Sequence, residues 1–292
     1  MDSMGLLLSL KVVEHMEQLL QRRGIIIPEL TLFFVHQGEI IWHRLLQIMT
    51  QHAQNLDQLQ PEAGQKKDTK PCAAIRQYAE FVACVCDIGV HDSKNRLLFA
   101  LRRLRQSMDG YLQRVCSTLV NPLSQSIFLL NNYDIVTMVY REHSHASIDE
   151  PLQYTSALEQ QKSVFVANEL AINFPSIVEF ARSFSRNSTT AAPADDDDAY
   201  NKKERAAIEH TISEFNSTWK GSIRQVSADV MLYFSNFALG AEILEQVFSQ
   251  FTVRYTVLET SVRRQQRLGV VYTNFQPLAA VTFEMKRVQQ SS

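Results

Sequence analysis

The chain has 292 residues, 45% apolar and 21% charged, enough to bury a large core in one or two domains. A formal net charge of −2 argues against wholesale nucleic-acid binding, which draws on a strongly basic face. Nine glycines and eight prolines are few for this length and favour helices over a turn-rich β architecture.

In chain order, Leu6 to Leu20 reads as a helix with Leu6, Leu10, Val13, Met16 and Leu20 on one face, ended by Arg22-Arg23-Gly24. Pro28 opens a second helix that carries Leu32, Val35, Ile40, Trp42, Leu45 and Ile48 toward Leu59. Residues 61–71 are polar and read as a surface loop. Two further helical blocks follow up to Val120, one through Ile75, Tyr78 and Val82, the other through Leu97, Leu101, Leu104 and Met108. Between them Gly89 and His91-Asp92-Ser93 predict a break, with Asp92 or Ser93 as the cap of the second block.

Asn121-Pro122 restarts a helix that runs to about His143, and Asp149-Glu150-Pro151 opens another that reaches Asn173. Phe174-Pro175 kinks or ends it before a short helical piece, 176–184. Residues 185–199, with the run Asp195 to Asp198, read as an exposed, mobile linker. From Tyr200 to about Arg264 an apolar stripe through Phe215, Trp219, Val230, Leu244, Phe251 and Tyr255 predicts one long helix, about 90 Å at 1.5 Å per residue. Gly221 and Gly240 each cost about 1 kcal/mol inside a helix, so a bend or break is expected at one of them, Gly240 above all, with the direction of packing kept. A last short helix covers 277–288. No stretch alternates with a period of two, so the fold class is all-α. The expected architecture is two helical bundles in series, 1–120 and 121–292, the second built on the long helix.

Cys84 and Cys86 point away from each other on a helix; with Cys72 and Cys116 they read as buried thiols of a reducing compartment. The first ten residues carry no basic leader or cleavage site, and no apolar segment approaches the length of a membrane span, so a cytosolic or nuclear chain is expected. Without a secretory signal, the glycosylation sequons at Asn187 and Asn216 are expected to go unused.

The search for chemistry finds no Gly-rich phosphate loop, no GxSxG and no HExxH. His36, Glu39 and His43 share a helix face and could hold a metal, but matching ligands on other helices are absent from the pattern. His143 and His145 form a pair too small for a tetrahedral site. The chain therefore reads as a non-enzyme, with no catalytic residue, cofactor or metal site assigned. Lys94, Arg96, Arg102, Arg103 and Arg105 form a basic cluster among leucines at helical spacing. It reads either as a surface for an acidic partner or anionic lipid, or as the solvated face of an amphipathic helix. Asn131-Asn132-Tyr133-Asp134 interrupts an apolar run and predicts a buried hydrogen-bond network that sets helix register.

Two stretches resemble one family. They are Gln125 to Asp134, with its Asn-Asn-Tyr-Asp end, and Phe215-Asn-Ser-Thr-Trp-Lys-Gly-Ser-Ile223, followed by Asp229-Val-Met and Phe234-Ser-Asn-Phe237. Both are similar to the vacuolar protein sorting-associated protein 52 family, a subunit of the GARP and EARP tethering complexes. The resemblance is strongest from Leu123 to Leu258; the aspartate run at 195–198 departs from it, and the long N-terminal coiled coil of such subunits is missing. The resemblance implies the C-terminal part of a longer, cytoplasmic protein, an elongated rod of antiparallel helical bundles. It implies capture of endosome-derived vesicles at the trans-Golgi network, in a complex with the other GARP or EARP subunits. It also implies binding of a Golgi Rab GTPase in its GTP state, assistance to SNARE assembly, and peripheral membrane association through partners. A subunit of an exocyst-type or COG-type rod is the alternative of the same kind, and a metal-binding helical-bundle enzyme using His36, Glu39 and His43 is the more distant one.

Overall fold

The computed structural model describes residues 2–61, 69–90, 95–143, 150–187 and 197–291. Among them the chain forms ten α-helices and no strand. They fall into two compact units, 1–160 and 161–292, and the boundary lies inside α6 (Glu150–Asn173). The sequence pattern suggests a boundary at 120 instead. The helix that follows, α5 (Pro122–Glu142), packs on α3 (Ala73–Ile88) and α4 (Arg96–Ser117), so it belongs to the first unit.

In the first unit, α1 (Ser3–Arg22) and α2 (Pro28–Gln58) form an antiparallel hairpin. Asp2 caps α1 by accepting from the Met4 amide at 3.2 Å. Gly24, at φ 64°, closes it in the left-handed conformation that glycine adopts freely, while the Ile25 amide reaches back to Leu20 O at 3.1 Å. Pro28 then supplies the first residue of α2, where a missing N–H costs nothing. At the other end, the Arg114 guanidinium donates to Leu56 O at 2.6 Å and satisfies one of the orphan carbonyls of α2. The second half of α2 buries Trp42, Leu45, Ile48 and Met49, and it packs on α4.

The predicted stripes of this hairpin are only partly core. Leu6 and Leu10 are buried, whereas Met16, Leu32, Val35 and Ile40 are exposed. The helical period is correct, but the outer half of the hairpin extends past the helices that could cover it. Asp92 and Ser93 lie outside the described residues, and the residue that precedes α4 is Asn95, at φ 54° and without a side-chain cap bond.

In the second unit, the predicted helix of 200–264 is a hairpin of two helices, α8 (Asp197–Tyr233) and α9 (Phe237–Arg267). The break falls at Phe234-Ser235-Asn236 rather than at either glycine, and it reverses the chain. Asn236 accounts for it: its side chain accepts from the Ala238 amide at 3.0 Å and starts a new helix. The apolar stripe survives the break because both helices face the same core. Gly240 stays helical in α9, and a Cβ there would make ordinary contact with the Met231 sulfur of α8 at 3.5 Å. Asp197 and Asp198, read as linker, begin α8, while α7 (Pro175–Asn187) extends to Asn187; residues 188–196 lie outside the described residues. Helix α7 packs on both arms of the hairpin, and so does α10 (Leu278–Ser291).

Gly221 lies in the middle of α8 with nothing within 4 Å of the position a Cβ would take. Gly221→Ala is therefore expected to raise unfolding stability by about 1 kcal/mol, a gain of helix propensity without a clash. Chemical denaturation of the two proteins would measure it, and an unchanged midpoint would show that the helix is frayed there.

Candidate functional site

On α4, the phase of the leucines sets which basic side chains reach solvent. Leu97, Leu101, Leu104 and Met108 form the buried stripe, and Phe99, Arg102, Arg103 and Gln106 lie opposite, all exposed. Three of the five predicted basic residues are tied down within the unit. The Arg96 guanidinium donates to Glu39 Oε2 at 3.0 Å and stacks 4.3 Å from the centre of the Trp42 ring. Arg103 pairs with Asp57, and Arg105 lies 4.0 Å from Asp109 on its own helix. The Arg96 and Arg103 pairs lace α4 to α2. Arg102 is exposed one turn beyond Phe99, which is itself 63% exposed. Lys94 falls outside the described residues. Phe99 does not stand out by residue type among its leucine neighbours; only its phase, half a turn from the buried stripe, separates it.

The histidine sets do not converge. His36, Glu39 and His43 are all exposed, with Glu39 engaged by Arg96. Among the described residues no group of three or more His, Cys, Asp or Glu could hold a metal ion. His143 Nδ1 lies 2.6 Å from Asp87 Oδ2, and His145 is outside the described residues. The four cysteines are free thiols; burial pushes the Cys72 and Cys116 thiols up, away from a reactive thiolate. An open cleft of about 680 Å³ between α7 and α8 contains Glu204, His210 and Glu214, each paired with a neighbour on the protein.

The Asn-Asn-Tyr-Asp stretch of α5 is buried throughout. Asn132 accepts from the Cys72 amide at 2.9 Å and donates to Phe128 O at 2.7 Å. Asn131 donates to Thr69 O at 3.0 Å. The two asparagines thus hold the chain entering α3, whose first amides otherwise lack partners. Next to them Tyr133 packs its ring 5.8 Å from Tyr154. The Tyr154 hydroxyl donates to Asp109 at 2.9 Å, which joins α6 to α4. Burial pushes the Asp109 carboxyl up, against the opposing pull of Tyr154 and Arg105. The motif is a structural network, as its position within an apolar run implies.

Glu169 of α6, a fully buried carboxylate, accepts from Asn173 through one oxygen at 3.1 Å; the other oxygen has no hydrogen-bond partner. Burial, and then the negative charge of Asp229, push its pKa from 4.5 up to about 7, with Asn173 opposing. The folded state therefore holds a proton that the unfolded chain has lost. This contribution to stability is fully present below about 4.5 and disappears as pH rises to about 7, a loss of roughly 3 kcal/mol. Glu169→Gln is expected to remove this fall and to exceed the parent in stability at pH 8 but not at pH 4. Denaturant titrations at both values would test it, and equal stability at pH 8 would contradict it.

Comparison with known proteins places the chain among a single set of relatives. The family model described as "Vps52, C-terminal" matches residues 1–166. The Arabidopsis thaliana vacuolar protein sorting-associated protein 52 A is 24% identical over 293 residues, covering 99% of this chain and 40% of the relative. The Homo sapiens vacuolar protein sorting-associated protein 52 homolog is 24% identical over 255 residues, covering 87% and 34%. The Caenorhabditis elegans homolog is 22% identical over 264 residues, covering 86% and 36%. The chain thus spans well under half the length of the relatives it matches. No solved structure matches it.

Proposed function

Because the chain belongs to the Vps52 C-terminal family, we propose that it is a non-enzymatic vesicle-tethering subunit acting in endosome-to-trans-Golgi retrograde transport. It works with the other GARP or EARP subunits, binds a Golgi Rab GTPase in its GTP state and assists SNARE assembly. Its place is peripheral to trans-Golgi and endosomal membranes, held there through partners. The observation that carries this reading is the family match across more than half of the chain, together with relatives aligned over nearly all of it. Two structural features support it. The polar residues of the family-like α5 stretch are consumed in packing, which suits a scaffold. The outer face of α4 offers an exposed Phe99 flanked by Arg102 and Arg103, the aromatic–arginine pairing enriched where proteins bind one another.

We assign the GTPase contact to this α4 face, with Arg96 and Arg105 at its margins. Titration calorimetry against a trans-Golgi Rab GTPase tests it, with the GTPase loaded in parallel with a non-hydrolysable GTP analogue and with GDP. Heat in the GTP-analogue arm alone, lost in Arg102→Glu, is the expected result. Equal binding in both arms, or none in either, would remove the effector reading from this chain.

A further inference from the structure

The turn between α1 and α2 presents Ile25, Ile26 and Ile27 to solvent, with Ile26 88% exposed. Leu32 and Phe33 follow in α2 at 70% and 53% exposure. At 1.5 Å per residue these two lie within about 8 Å of the start of α2, so five large apolar side chains gather at one end of the hairpin. Arg22 and Arg23 sit at the same end, both exposed, and neither forms an ion pair among the described residues. From Gln18 to Val35 the only acidic side chain is Glu29.

This combination fits one kind of surface. Exposed apolar side chains gathered beside two arginines at the end of a helical hairpin can enter the headgroup region of an anionic bilayer. The apolar depth of about 8 Å matches the 5–10 Å to which interfacial elements bury their apolar faces. Arg22 and Arg23 can remain at the anionic surface while their stems extend along the apolar layer. We propose that the α1–α2 tip is a membrane-contacting wedge for anionic lipid bilayers, with Ile25, Ile26, Ile27, Leu32 and Phe33 inserted and Arg22 and Arg23 on the headgroups. The wedge does not depend on the α4 face or on any GTPase, and it would give a tether a direct lipid contact beside the one made through partners.

Flotation of the purified chain with vesicles of phosphatidylcholine alone, and with 30% phosphatidylserine, tests the proposal. The chain should float with the anionic vesicles, and less so at high salt. Ile26→Asp should abolish flotation without lowering the melting temperature, because the side chain has little to lose on the protein side. Each of Arg22→Gln and Arg23→Gln should weaken binding about fivefold at low ionic strength. An Ile26→Trp variant, read by brominated-lipid quenching, should place the residue below the headgroups. The proposal is overturned if the parent does not float, if Ile26→Asp floats as well as the parent, or if Ile26→Trp is unquenched. It is also overturned if the tip instead drives self-association that Ile26→Asp dissolves while flotation is absent.

Discussion

Trp219→Ala is expected to destabilise the second unit by about 3–5 kcal/mol, the range for emptying a large aromatic site in a packed core. Trp219 is 7% exposed and stacks on Phe215, with ring centres 5.9 Å apart. Phe215 in turn contacts Tyr255 at 5.1 Å and Phe251 at 6.0 Å, and Phe251 reaches Phe174 of the α6–α7 junction at 4.5 Å. Through Tyr255, whose hydroxyl donates to Gln276 O at 2.7 Å, the same cluster holds the segment that leads into α10. Removing the indole opens a cavity at one edge of a continuous aromatic layer whose rings cannot shift far without separating from each other. Thermal unfolding should show the midpoint lowered by about 10 °C. A midpoint near that of the parent would mean that Trp219 is not a core residue, and its place in the family-like stretch would then point to a contact role.

Arg264→Ala is the second large effect, about 3 kcal/mol, because it leaves a charge stranded. Glu204 is fully buried near the start of α8, and Arg264 near the end of α9 supplies its cation. Gln265 donates to the other Glu204 oxygen at 2.6 Å, and Arg205 donates to Gln265 at 2.9 Å. This network fastens the open end of the hairpin, opposite the Phe234-Ser235-Asn236 turn. Without Arg264 the carboxylate, itself fully buried at the edge of the α7–α8 cleft, keeps one neutral donor and no cation. The double variant Glu204→Leu/Arg264→Leu should lose less than Arg264→Ala alone, since it removes the charge along with its partner. Denaturant unfolding of the three proteins checks the order, and a double variant less stable than the single one would contradict the account.

What the residues alone reveal of this fold depends on the type of signal. Helices marked by local chemistry were visible in the residues: Gly24 and Pro28 bracket the first turn, Asn121-Pro122 opens α5, and Pro175 opens α7. The hairpin of α8 and α9 was hidden because periodicity reports which side faces the core and not whether the chain has reversed. The local sign of the reversal is Ser235-Asn236, a helix-capping pair, whereas Gly221 and Gly240 both remain inside helices. The bounds of the first unit depended on α5 packing on α3 and α4, a long-range fact that no window of sequence contains. Similarly, the apolar stripes of α1 and α2 show a helix with an apolar face without showing whether anything covers it.

The basic cluster shows the same division. Its residues were evident from composition, but the distribution of their charge was not. Glu39 and Asp57, which engage Arg96 and Arg103, come from α2, more than 40 residues earlier in the chain. Phe99 emerged only once Leu101 and Leu104 had fixed the phase of α4. The Asn-Asn-Tyr-Asp network was legible because four consecutive polar or amphipathic residues in an apolar run must be satisfied internally.

Hydrogen exchange of the chain, alone and with an excess of the GTP-analogue-loaded trans-Golgi Rab GTPase, most directly tests the assignment of partner recognition to the outer face of α4. The account predicts slowed exchange in amides 96–106, with no change when the GDP-loaded GTPase is added. Protection confined to other helices, or none at all under conditions where the GTPase binds, would contradict it.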